Sequence, residues 1–186
     1  MSMLDLAGRG EYPKLLKALG LNGIIAEVGV ENGMFSEELL SRWDGRLLVS
    51  VDSWRQAAVH PDDELHVRPD TQHVDIMKTA ATRLGKYGDR SMMLRASSPV
   101  AARMFPPGFF DFVYIDASHS ADAAMADIMA WWPLVRSGGL FAGHDYFDQL
   151  PAFGVKKAVD FFFGDLCRPV HVTRDLPWPS WHVLKP

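Results

Sequence analysis

With 186 residues, 48% of them hydrophobic and 23% charged, the chain is long enough for one substantial core and short for two full domains. A formal charge of -4 gives no reason to expect nucleic acid or an anionic membrane as a partner, because the lysines and arginines are scattered. The single cysteine, Cys167, rules out an internal disulfide framework and a cysteine-based zinc site, and no run approaches the ~18 to 20 apolar residues that span a bilayer. MSMLDLAGRGEY shows no basic segment followed by an apolar stretch, so the expectation is a soluble, cytoplasmic domain that acts on a small molecule.

Glu11 to Leu19 reads as an opening helix. It is followed by GIIAEVG as a buried strand, MFSEELLSRW as a helix, RLLVSVD as a strand and Thr71 to Lys86 as a helix. SMMLRA and FDFVYID are further strands, with a short helical piece at Pro99 to Met104 between them. Met125, Ile128, Met129, Trp132 and Val135 then recur at three- and four-residue intervals and predict one apolar helix face, ending at the SGG that follows. LFAGHD is a strand and Val155 to Phe163 a helix. PVHVTRD and SWHVLKP, joined by LPWP, suit an antiparallel hairpin at the sheet edge. Strands alternating with helices predict an α/β fold with a doubly wound, mostly parallel sheet. Arg55 to Asp70 has weak periodicity, as expected of a lid or binding loop.

Gly29 and Gly33 fall where the first strand hands over to its helix. Ligands of open α/β sheets bind there, and helix N–H groups favour a carboxylate or phosphate. A dinucleotide fingerprint needs glycine at the third position of the turn, and Glu31 stands there, an acid where a pyrophosphate would lie. Asp52, closing the second strand, is placed to accept hydrogen bonds from a ribose diol. A nucleoside fits these residues and a pyrophosphate does not. The bland alternative is that both glycines serve only a turn.

Glu27, Gly29 and Gly33 form E-x-G-x-x-x-G. Together with Asp52, YIDASHSADAAMADIMAWWPLVRSGGLFAGHDY and GVKKAVDFFF, they resemble class I S-adenosylmethionine-dependent methyltransferases over nearly the whole chain, in particular a bacterial subgroup related to sugar and macrolide O-methyltransferases. The resemblance implies a single domain with a Rossmann-like, seven-stranded sheet whose last strand is antiparallel. It also implies S-adenosyl-L-methionine as cofactor. Gly29 and Gly33 would border the methionine part, Glu27 would order that loop and Asp52 would hold the ribose hydroxyls. Ser53 and Trp54 would lie near the adenosine, and Ser97 and Ser98 near the adenine. Trp54 is equally readable as a core or lid residue.

Asp116 ends the fourth strand and Asp145 the fifth, so both carboxylates belong to the crevice at the C-terminal sheet edge. In metal-dependent O-methyltransferases of this fold such positions hold a divalent ion. Asp116, His144 and Asp145 resemble that set, but His144 stands where an acid usually begins the pair, and histidine suits transition metals better than Mg²⁺. His144 and His119 are also candidate general bases, and Asp116 a candidate cofactor contact. The acceptor expected is a hydroxyl of a sugar or secondary metabolite. A catalytically silent cofactor-binding sensor or scaffold is the alternative, with a metal-dependent hydrolase third. Asp127 is expected on a solvated helix face, Cys167 as a small apolar filler, and Trp131, Trp132 and Phe161 to Phe163 in the core or an interface. Exposed aromatics on the helices leave room for a homodimer.

Overall fold

A computed structural model describes residues 3–55, 69–150 and 153–186. Seven strands form one sheet: β1 (Ile24–Val28), β2 (Leu47–Asp52), β3 (Ser91–Arg95), β4 (Phe110–Ile115), β5 (Val135–Gly143), β6 (His171–Val172) and β7 (Trp181–Leu184). The order across it is β3-β2-β1-β4-β5-β7-β6, with β1 to β5 parallel and β7 antiparallel to both β5 and β6. This is the Rossmann-like methyltransferase arrangement. The hairpin read from the short LPWP link is present, since so few residues cannot carry a crossover.

The helices are α1 (Tyr12–Ala18), α2 (Met34–Arg42), α3 (Asp70–Leu84), α4 (Ser98–Ala102), α5 (Ala121–Trp131) and α6 (Val155–Asp165). Successive strand residues point to opposite faces, and each face has its own core. Ile25, Leu48, Phe112 and Tyr114 pack with Tyr12, Leu16, Leu39 and Leu84, so α1 to α3 cover one face. Ala26, Val28, Val49, Val113 and Phe141 pack with Ala101, Ile128, Trp131 and Phe163, so α4 to α6 cover the other. No helix among the described residues is long and apolar enough to cross a membrane.

Four expectations are corrected. The apolar stripe from Met125 to Val135 is not one helix face: α5 stops at Trp131, Met129 is 60% exposed and Val135 already belongs to β5. The buried face is Ala124, Asp127, Ile128 and Trp131, which brings Asp127 inside, where it is 5% exposed rather than solvated. SGG is not a helix stop either. It lies inside β5, where the pairing with β4 jumps from Phe110↔Val135 to Phe112↔Leu140. Gly138 takes φ +72°, and a Cβ on Gly139 would stand 2.8 Å from the Asp111 carbonyl oxygen, so both glycines serve a bulge. Cys167, expected as filler, is exposed.

Because β1 lies between β2 and β4, its two neighbours are reached by crossovers in opposite senses. The C-terminal ends of β1 and β4 therefore flank the crevice where such sheets bind ligands.

Candidate active site

Two groups of residues meet at that crevice. The first is built around the turn from β1 to α2. Gly29 has φ +92°, Glu31 +50° and Gly33 +80°, with Gly33 capping α2. The turn is tied to the end of β2 by Asp52, whose Oδ2 accepts the N–H of Val30 and of Glu31, both at 2.9 Å, while Oδ1 accepts the N–H of Trp54 at 2.7 Å. Trp54 is 2% exposed, and its indole N–H donates to the Glu31 carbonyl at 2.9 Å, closing a second link across the turn. Ser53 stays half-buried beside it.

Below the turn, the Glu27 carboxylate accepts the Ser36 hydroxyl, which is 2.8 Å from that of Ser50. Burial pushes the Glu27 carboxyl up to about 8, against the opposing effect of the Ser36 hydrogen bond. At the end of β3, Ser97 caps α4 and is exposed. Ser98 turns inward, donating to Asp127 and accepting the Trp131 indole N–H at 2.9 Å.

The second group follows β4 and β5. Asp116 Oδ1 is 3.7 Å from His144 Nδ1, and the same nitrogen is 3.0 Å from Asp145 Oδ1. His119 Nε2 is 3.1 Å from Asp145 Oδ2, so one carboxylate joins two imidazoles. Burial works to raise the Asp145 carboxyl, but the hydrogen bonds from His119 and His144 overcome it and hold that carboxyl well below its ordinary range. Burial instead raises Asp116. Asp145 takes φ +56°, in the left-handed region. The His119 ring stacks on Phe153, with centroids 4.5 Å apart, and Phe153 in turn stacks on Trp178 at 5.2 Å.

All the sequence-predicted residues thus gather at the C-terminal ends of β1 to β5. Glu27, Gly29, Gly33, Asp52, Ser53 and Trp54 surround the first turn, Ser97 and Ser98 follow β3, and Asp116, His119, His144 and Asp145 form the acid–base cluster. Sequence reasoning missed Arg9. Its Nη1 is 3.3 Å from Asp116 Oδ2 and its guanidinium lies 5.2 Å over the Phe35 ring. A lone basic residue between two glycines was the only signal for it. The expected lid, Arg55 to Asp70, falls almost wholly outside the described residues.

Asp116, His144 and Asp145 each offer one ligand atom, and these lie within 4.8 Å of one another. Imidazole with two carboxylates suits a transition metal better than Mg²⁺. The same atoms are already matched among themselves, however. Asp145 spends both oxygens on histidines, and Asp116 faces Arg9 on one side and His144 on the other. As arranged, the set does not fit a resident ion unless Arg9 and His144 move.

A seven-stranded sheet in this order, with an acid-tied glycine turn after β1 and an acid–base cluster after β4 and β5, defines the methyltransferase class of Rossmann-like proteins. The family model described as a methyltransferase domain matches residues 26–146, and the chain belongs to that family. No curated protein matches it by sequence. Among solved structures, the O-methyltransferase from Bacillus cereus in complex with SAH is 17% identical, covering 95% of this chain and 80% of that one, with a TM-score of 0.62. The O-methyltransferase TomG from Streptomyces achromogenes, involved in tomaymycin synthesis and solved with SAM, is 16% identical over 96% of this chain and 79% of that one, TM-score 0.63. A calicheamicin methyltransferase is 16% identical over 94% and 77%, TM-score 0.65. At such identities the likeness establishes the fold.

Proposed function

We propose that this chain is an S-adenosylmethionine-dependent methyltransferase acting on a hydroxyl of a small-molecule acceptor, in the class of a sugar or secondary metabolite. The observation that carries this reading is Asp52. It grips three backbone N–H groups around the β1–α2 turn while remaining half-buried at the crevice, one strand away from a paired His and Asp cluster. An ionised carboxylate has about four lone-pair sites and Asp52 spends three, so it keeps capacity for a ribose hydroxyl. In this reading Gly29, Gly33 and Glu27 support the methionine part. Asp52 takes the ribose, Ser53 and Trp54 border the adenosine, Ser97 and Ser98 lie near the adenine with the Ser98 hydroxyl held inward by Asp127 and Trp131, and Asp116 faces the cofactor's methionine end. The solved neighbours crystallised with SAM or SAH support the choice of cofactor.

Methyl transfer from a sulfonium is an in-line displacement: the protein must align donor and acceptor and take up the acceptor's proton. His144, set between Asp116 and Asp145, is our choice for that proton. His119 then holds the far oxygen of Asp145 and fixes the carboxylate that orients His144. This step needs no divalent ion, because Arg9 already stands beside Asp116. Isothermal titration with S-adenosylhomocysteine should show saturable binding that Asp52→Ala with Gly33→Leu abolishes. An intact, folded protein that binds none of it would refute the reading.

A further inference from the structure

We propose that Arg9 is the resident cation of this site. Its guanidinium neutralises Asp116 and offers its remaining N–H groups to the acceptor oxygen, so that methyl transfer runs without a divalent metal. This rests on the methyltransferase reading for the transfer step, but its claim about the cation stands on geometry alone.

Arg9 is brought to the crevice by a strap made from both ends of the described chain. It lies in a single 3₁₀ turn, Arg9–Glu11, just before α1. Three bonds tie this segment to the β6–β7 hairpin. The Arg9 N–H donates to Asp175 Oδ2 at 3.3 Å, the Arg174 N–H donates to the Leu6 carbonyl at 3.2 Å, and His182 Nε2 lies 3.0 Å from the Leu4 carbonyl. The buried Tyr12 hydroxyl adds a fourth link, donating to the Trp181 carbonyl at 3.2 Å. Gly8 belongs to the same fit, since a Cβ there would stand 2.8 Å from Asp175 Oδ2. Held this way, the side chain crosses the face of Phe35 at 5.2 Å and meets Asp116 at 3.3 Å. The cluster then holds two carboxylates, one guanidinium and two imidazoles, so a fixed cation already stands beside one of its two acids.

The chemical consequence follows from the displacement itself. The acceptor oxygen forms its bond to the methyl carbon as the carbon–sulfur bond breaks. The electron pair of that bond stays on sulfur, which passes from sulfonium to neutral thioether, and the acceptor's proton goes to the His144 imidazole. Negative charge gathers on the oxygen as the proton leaves, and a fixed cation beside it lowers the barrier. A guanidinium has five N–H donors in a rigid fork and cannot lose its charge near neutral pH, so contact with Asp116 leaves donors over. A metal ion reaching Asp116 would have to displace it.

The test compares wild type with Arg9→Met, which keeps an apolar stem over Phe35 but removes the charge, and uses Mn²⁺ as probe. Electron paramagnetic resonance should show Mn²⁺ binding about tenfold tighter in Arg9→Met than in wild type, the size expected when a cation next to one carboxylate is removed. Transfer by wild type should continue undiminished with a chelator present. Arg9→Met should lower kcat by about 10²-fold while leaving S-adenosylhomocysteine binding intact. Should Arg9→Met fail to fold, Arg9→Lys should keep Mn²⁺ binding weak, and Asp175→Ala, which loosens the strap, should tighten it. Equal Mn²⁺ affinity in the charged and uncharged variants, or loss of wild-type transfer on chelation, overturns the proposal. Absence of S-adenosylhomocysteine binding by wild type would sink the methyltransferase reading instead, and the Mn²⁺ comparison would still decide the place of Arg9.

Discussion

The carbonyl oxygen of Asp116 occupies the space where a side chain on Gly29 would begin: a Cβ built on Gly29 would lie 1.8 Å from it. The first glycine of the turn is therefore required by the approach of β1 to β4, and this same close approach brings the β1–α2 turn up against the acid–base cluster. The Asp116 N–H donating to the Val28 carbonyl at 2.7 Å continues the strand pairing to that point.

Gly29→Ala should consequently be among the most damaging single changes in the chain. The clash is with backbone atoms of Asp116 and Ala117, none of which can swing away, and φ of +92° is strained for any side chain. A loss of more than about 3 kcal/mol in urea denaturation is expected. Gly20→Ala is the control. There φ is +67° but nothing lies within 4 Å, and the backbone penalty alone should cost about 1 to 2 kcal/mol.

Asp52→Asn should loosen the β1–α2 turn without touching the core. An amide offers one acceptor oxygen where the carboxylate uses two, and its NH₂ group would point at backbone N–H groups of Val30, Glu31 or Trp54. A stability loss of about 1 to 3 kcal/mol is expected, together with at least about a tenfold weakening of S-adenosylhomocysteine binding in calorimetry. Unchanged affinity in a destabilised protein would separate the structural role of Asp52 from its proposed ribose contact.

The sheet and the glycine turn after β1 were legible in the sequence because their signals are local. Apolar runs bounded by glycine and acids mark strand ends, and a four-residue link between two runs leaves only a hairpin. Where the reading failed, one local signal served two structures. Gly138 and Gly139 after a helical pattern resemble a helix stop, yet the same conformational freedom makes a bulge in β5. Asp127 was misplaced because Met125 and Met129 drew the apolar face one residue around from the true one. What pulls the carboxylate inward is a pair of partners, Ser98 and through it Trp131, one of them 29 residues away in sequence. Arg9 meets Asp116 across 107 residues, through a strap that only the folded hairpin creates. Periodicity carries no information at such separations.

Asp145→Asn tests the cluster with little risk to the fold. Asparagine tolerates the left-handed backbone that Asp145 adopts at φ +56°, so the turn should survive. What is lost is one of two acceptors: His119 Nε2 at 3.1 Å and His144 Nδ1 at 3.0 Å cannot both donate to a single amide oxygen. Melting temperature and S-adenosylhomocysteine affinity should stay close to wild type while kcat drops by about 10²- to 10⁴-fold, the range for a misplaced general base. An undiminished kcat would move the proton transfer away from this cluster.

Asp127 should leave a pH signature in stability. Burial raises its carboxyl from 3.8 to about 6, although the hydrogen bond from Ser98 works the other way. The folded protein therefore holds this proton over a range in which the unfolded chain has released it. The sign follows: the stabilising contribution is fully present below about pH 4, declines as pH rises, and is gone above about pH 6. Each tenfold difference in proton affinity between the folded and unfolded chain is worth about 1.4 kcal/mol, so the change amounts to about 2 to 3 kcal/mol. Asp127→Asn keeps an oxygen for the Ser98 hydroxyl and cannot ionise. In urea denaturation from pH 4 to 8 the variant should match wild type at the acid end and exceed it by about 2 to 3 kcal/mol at pH 7. A wild type minus variant difference that stays flat across that range would show that Asp127 does not ionise at a cost within the fold.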